Sequence, residues 1–218
     1  MKKSVYSLVL ADDVVEAIDE LAYSMNTSRS NLINQILAEK VSLMTPEMRM
    51  RDIFSRIEQL MDGRFQLLDQ SSDTMISIKS PLKYKYKPTV KYSIELYRSF
   101  EGAVGKLKIS LRTQSSRLIQ TMNEFFKLWK SVEDNYLSQI FRGGVPWEAS
   151  GLSFSREFYA PSGSGLSDLQ IADSIGGYIN MIDAAIKIYF EHCDSPQSAR
   201  QKISELYAGY LNKGVAVI

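Results

Sequence analysis

Residues 3–44 read KSVYSLVLADDVVEAIDELAYSMNTSRSNLINQILAEKVSLM, and their periodicity gives one short strand followed by two helices. Residues 5–10 alternate, with Tyr6, Leu8 and Leu10 on one face and Val5, Ser7 and Val9 on the other. Asp12 and Asp13 supply an N-cap and an acidic first turn. Val14, Val15, Ile18, Leu21, Ala22 and Met25 then recur at helical spacing, so the period changes from two to 3.6. Asn26 tolerates the left-handed conformation that ends a helix. Ser28 caps a second helix carrying Leu32, Ile33, Ile36, Leu37 and Val41 on one side.

One strand and two helices of this length cannot cover their own apolar faces, and the strand has two open edges. Two copies solve both problems, with the strands pairing antiparallel and four helices closing one shared core. The alternating strand, the turn at Met25-Asn26-Thr27 and the helix start Ser28-Arg29-Ser30 resemble the ribbon-helix-helix DNA-binding family, over about a fifth of the chain. That resemblance implies a homodimer on double-stranded DNA, with the two-stranded ribbon in the major groove. It implies base-edge contacts from Val5, Ser7 and Val9. It also implies phosphate contacts from the amides at Ser28, Arg29 and Ser30, helped by Lys2 and Lys3. This chain departs from the family by presenting two valines, which pack on a thymine methyl but cannot discriminate by hydrogen bonding. Residues 1–44 also carry four basic against six acidic groups. An interaction protein, in which the unit only dimerises the chain, therefore stands as the alternative. An enzyme of unrecognised type is the weaker one.

The whole chain has 218 residues, 44% of them hydrophobic, with 26 basic and 25 acidic side chains. Such a balance excludes a global attraction to polyanions. A single cysteine, Cys193, excludes an intrachain disulfide framework and fits a reducing compartment. No stretch approaches transmembrane length, and the early apolar run meets Asp12-Asp13 rather than a cleavage site. The expectation is a cytoplasmic protein with no membrane partner.

Beyond the ribbon unit, Thr45-Pro46-Glu47 is a helix start. Met50, Phe54, Ile57, Met61 and Leu68 follow a four-three spacing, the pattern of a short coiled coil. Ile53, Leu60 and Leu67 widen that face, which favours a helix packed on its own domain. The expected organisation is α+β: a ribbon-helix-helix unit over 1–44, a linker helix over 45–72, and a ligand- or partner-binding domain over 73–218. Its boundary falls at Gln70-Ser71-Ser72-Asp73.

Residues 74–79, 82–87, 90–97 and 106–112 alternate as an antiparallel meander, followed by long helices that cover it and a fifth strand over 152–159. Lys83, Lys85, Lys87, Lys91, Lys106, Lys108 and Arg112 share its polar face, and residues 74–112 hold nine basic against two acidic groups. The face is either an anion or nucleic-acid surface or a solvated lysine face that guards against aggregation. Few aromatics interleave with the lysines, which favours the solvated face. Helices span 113–141, then run from the capping box Ser167-x-x-Gln170 to about 192, and from Ser195-Pro196 to about 214. Gly176-Gly177 inside a helix points to a close helix crossing or to a ligand near the backbone, and the larger domain is expected to take a small-molecule or protein effector.

Catalytic patterns are missing from the sequence. His192 and Cys193 are adjacent and so face different sides of a helix. No zinc-type spacing occurs, and Gly163-Ser164-Gly165 lacks the spacing and lysine of a phosphate loop. The reading is a dimeric, repressor-like transcriptional regulator with no cofactor, no metal and no catalytic residues.

Overall fold

The computed structural model describes residues 4–68, 72–85, 87–100, 102–138, 141, 144–160 and 165–214. Lys2, Lys3, Gln70-Ser71 and Gly163-Ser164 lie outside the described residues. The fold is α+β. Helices α1 (Asp12–Ser24), α2 (Arg29–Lys40) and α3 (Pro46–Leu60) come first. They are followed by β1 (Gln66–Leu67), β2 (Met75–Pro81), β3 (Thr89–Leu96) and β4 (Ala103–Leu111). Helix α4 (Ser116–Leu137), β5 (Trp147–Ser150), β6 (Ser153–Tyr159), α5 (Asp168–Glu191) and α6 (Pro196–Leu211) complete the chain.

Alternation builds the sheet. Val90, Tyr92, Ile94 and Leu96 of β3 and Leu107, Ile109 and Leu111 of β4 are buried, with Tyr92 opposite Ile109 and Ile78. All pairings are antiparallel, in the order β1-β2-β3-β4-β6-β5. The register of β4 against β6 shifts between Ala103 and Gly105. Gly105 is required there, because a Cβ would lie 2.3 Å from the Glu95 carbonyl oxygen.

Two expectations need correction. Of the expected strand over 82–87, Tyr86 lies outside the described residues, and residues 82–85 and 87 are no strand but lie on the loop that joins β2 to β3. Pro81 pairs with Thr89, the Leu82 amide bonds Pro88 O at 2.8 Å, and Lys87 turns with φ of 43°. Proline at both ends removes ladder donors, and the periodic lysines between them mimic a strand. The expected linker helix is the second. Thr45 caps α3 by accepting from the Met48 amide at 3.1 Å, but the helix ends at Leu60 and Met61 is extended. Strand β1 then pairs with β2, so the sheet begins before the expected boundary.

Helix α3 is also no coiled coil. Met50, Ile53, Phe54 and Ile57 are buried in the main core, an apolar face wider than a two-position seam. It packs on α5, and Gly176 makes the crossing possible, since a Cβ there would stand 2.9 Å from Leu60 Cδ1. Thirteen of the 24 residues of α5 are buried, which makes it the central helix, with α3 and α6 both packed on it. Helix α4 joins it over the sheet through Phe126 stacked on Phe154 (5.0 Å) and Trp129 edge-on to Tyr178 (5.9 Å).

Candidate nucleic-acid interface

Residues 4–10 belong to no ladder, so the expected ribbon strand is not formed within the single chain. A strand exists only against a partner strand, and the edges of the chain's own sheet do not take this segment up. Val5 is 99% and Val9 102% exposed, and Leu8 on the opposite face is 63% exposed. Helix α1 starts at Asp12 after Ala11, which gives no side-chain cap. Asp12 and Asp13 therefore act in the first turn, on the helix dipole, rather than as the cap.

The α1–α2 turn closes as its residues dictate. Asn26 sits at φ of 53°, and the Thr27 amide donates to Ala22 O at 2.9 Å. Ser28 Oγ accepts from the Asn31 amide at 3.3 Å, and Asn31 Nδ2 donates to Thr27 Oγ1 at 3.0 Å. Ser28, Arg29 and Ser30 are all exposed, which leaves the start of α2 and its two hydroxyls at the surface. Arg29 differs from the expectation. Its guanidinium turns back on Asp19 of α1 in a two-point ion pair, and the hydrogen bond and charge of Asp19 raise its pKa. Ala22, Leu32 and Ala38 are buried with these contacts, and Arg51 Nη2 of α3 donates to the buried Gln35 Oε1 at 2.7 Å.

Of the seven expected surface cations, the sheet carries three. Lys91, Lys106 and Lys108 lie on the outer face, whereas Lys83, Lys85 and Lys87 lie on the β2–β3 loop and Arg112 just past β4. Lys79, opposite Lys91, joins the face and was not singled out by the sequence. Lys106 stands between Glu95 and Glu157 and pairs with Glu148 at 3.8 Å. Serines fill the centre: Ser77 and Ser93 share a hydrogen bond of 3.0 Å, and Lys108 lies between Ser93 and Ser155. The face is mixed in charge rather than a continuous cationic strip.

Two buried polar clusters escaped the sequence reading. Glu133 Oε1 accepts from Arg156 Nη1 (2.7 Å), from Tyr178 Oη (2.9 Å) and from Tyr207 Oη (3.4 Å). Trp129 Nε1 donates to Tyr178 Oη at 3.0 Å. Burial works against the Arg156 charge, but Glu133 beside it more than restores it, so its pKa stays above the usual value. Burial raises Tyr178 and Tyr207 as well. Both ionic side chains are 0% exposed, so no substrate reaches them and the cluster ties α4, α5, α6 and β6 together. In the second cluster Asp183 accepts from Tyr92 Oη (2.9 Å) and Lys187 Nζ (2.6 Å), and Lys187 also reaches Ser80 Oγ at 2.9 Å. A charged residue on an otherwise apolar face marks both, as Phe154-x-Arg156-x-Phe158 shows for the first and Ile179-x-x-x-Asp183-x-x-Ile186 for the second.

Cys193 is exposed, and His192 is held by Lys202. Among the described residues no group of three or more His, Cys, Asp or Glu side chains is placed to hold a metal ion, and no helix is long and apolar enough to cross a membrane. Searches against family models, curated proteins and solved structures find no match to this chain.

Proposed function

We propose that the chain is a homodimeric, cytoplasmic DNA-binding regulator whose ribbon-helix-helix unit, residues 1–44, pairs with a second copy. One observation carries this reading. Of the seventeen large hydrophobic side chains left exposed among the described residues, fourteen fall within residues 5–44, including Leu8, Leu10, Val14, Leu21, Ile36, Leu37 and Val41. Surface of that kind concentrated in one small unit calls for a partner, and an unpaired segment beside it calls for a strand. A second copy supplies both symmetrically. The amides and exposed hydroxyls at Ser28, Arg29 and Ser30 then hold a backbone phosphate, and Val5, Ser7 and Val9 meet the base edges.

The interaction-protein reading remains the alternative, in which the unit dimerises the chain without touching DNA. It is favoured by the Arg29–Asp19 ion pair and by the five carboxylates of α1, which repel phosphate. Selection of bound fragments from random duplex DNA at low salt decides between them. Enrichment of a two-fold-symmetric site supports the regulator, and absence of any duplex binding moves the unit to dimerisation alone.

A further inference from the structure

A groove of about 690 Å³ runs between α5 and α6. Met181, Leu206 and the Tyr210 ring give it apolar walls, and Gly177 and Gly209 leave its floor without side chains. A Cβ on Gly209 would meet nothing within 4 Å. The polar groups along the groove are mostly acceptors. Asp173 Oδ1 takes Arg56 Nε at 2.9 Å and Glu205 Oε1 takes Gln201 Nε2 at 2.9 Å, which leaves the second oxygen of each without a hydrogen bond among the described residues. Asn180 Nδ2 donates to Gly176 O (3.1 Å) and Leu60 O (3.4 Å), and its Oδ1 has no hydrogen bond among the described residues. Tyr210 Oη is occupied, donating to Ser174 O at 3.0 Å. Lys213 is the single cation among the lining residues.

We propose that this groove is the effector site of the larger domain and takes a small amphipathic amine. Glu205 and Asn180 Oδ1 receive its ammonium, and its apolar part lies on Met181, Leu206 and Tyr210. Occupancy is relayed to α3, because Asn180 is also a polar tie between α5 and α3: its Nδ2 holds the last carbonyl of that helix. Drawing Asn180 Oδ1 onto an ammonium re-aims the side-chain amide and loosens its 3.4 Å bond to Leu60 O at the end of α3. Arg51 on the same helix holds Gln35 of the N-terminal unit. Only the output of this relay rests on the DNA-binding reading; ligand binding does not.

The test is calorimetric titration of the full-length chain with hexylamine, with hexanoate as the control for charge. Hexylamine is expected to bind the wild type. Glu205→Gln should weaken it at least tenfold, and Gly209→Leu, which gains helix propensity while filling the floor, should abolish it. Hydrogen exchange of the amides near residues 57–60 should speed up on binding. No heat with hexylamine, equal binding by Gly209→Leu, or hexanoate binding as tightly as the amine would each overturn the site. Binding with unchanged exchange in α3 would overturn the relay. A failure of the DNA reading is seen separately, as absence of duplex binding by the unliganded chain.

Discussion

Glu133→Gln removes one charge from a pair in which neither side chain reaches solvent, while keeping shape and a hydrogen-bonding oxygen. What remains is the Arg156 guanidinium, buried 4.6 Å from the Tyr178 ring centroid and 5.2 Å from that of Phe158, with no counter-charge. Its Nη2 already lacks a hydrogen-bond partner among the described residues, as does Glu133 Oε2, so local rearrangement has few polar groups to recruit. Breaking a buried pair in this way costs about 3–5 kcal/mol. In a chain of this size that lowers Tm by about 6–20 °C. Urea unfolding followed by circular dichroism gives the free energy directly. The paired replacement Glu133→Leu with Arg156→Met removes both desolvated charges and should be far milder than either single change. A loss below about 1 kcal/mol for Glu133→Gln would refute the argument. A double variant as damaged as the sum of its singles would also refute it.

The bulge gives a second test. Gly105→Ala drives a Cβ against the Glu95 carbonyl, a backbone atom that cannot swing away, so unfolding should move to lower urea by an amount like that of a core substitution. A neutral result would mean that β3 and β4 shift freely. A third test concerns alkaline pH. Tyr97 is pushed up to about 12 by burial and by its hydrogen bond to Glu157, and Tyr159 to about 12 by its hydrogen bond to the same carboxylate and by burial. With folded values above the unfolded value near 10, these groups leave stability untouched below pH 10, and stability falls as pH climbs from about 10 towards 12. Tyr97→Phe and Tyr159→Phe should each flatten that fall in a series of Tm measurements. A fall that begins at neutral pH, or one indifferent to both variants, would contradict the assignment.

Helices were the legible part of this chain because their signals are local. Thr45-Pro46, Ser167 with Gln170, and Asn26 act as caps and stops within four residues of their targets, and each does so in the structure. The sheet was half legible. Alternation identifies the buried faces of β3 and β4, but the same alternation over residues 82–85 belongs to a loop, because the prolines at 81 and 88 outweigh the periodic side chains. Partners across the fold were not legible. Nothing near Arg156 in sequence announces Glu133, and nothing in α3 announces that Gly176 will lie against Leu60, since both depend on how the helices pack on one another and on the sheet. The candidate site divides the same way. The turn and capping serine of the α1–α2 unit could be read directly, whereas the turning of Arg29 onto Asp19 depends on how two helices pack.

The central claim is that residues 1–44 complete themselves against a second copy, and sedimentation velocity of the full-length chain beside Leu10→Lys tests it most directly. Leu10 is 40% exposed in the single chain and belongs to the face that a paired ribbon buries, so a lysine there places a charge in the shared core. The account predicts a dimer at micromolar concentration for the wild type, and a monomer with intact circular dichroism for Leu10→Lys. A monomeric wild type, or a variant that dimerises equally well, would contradict it.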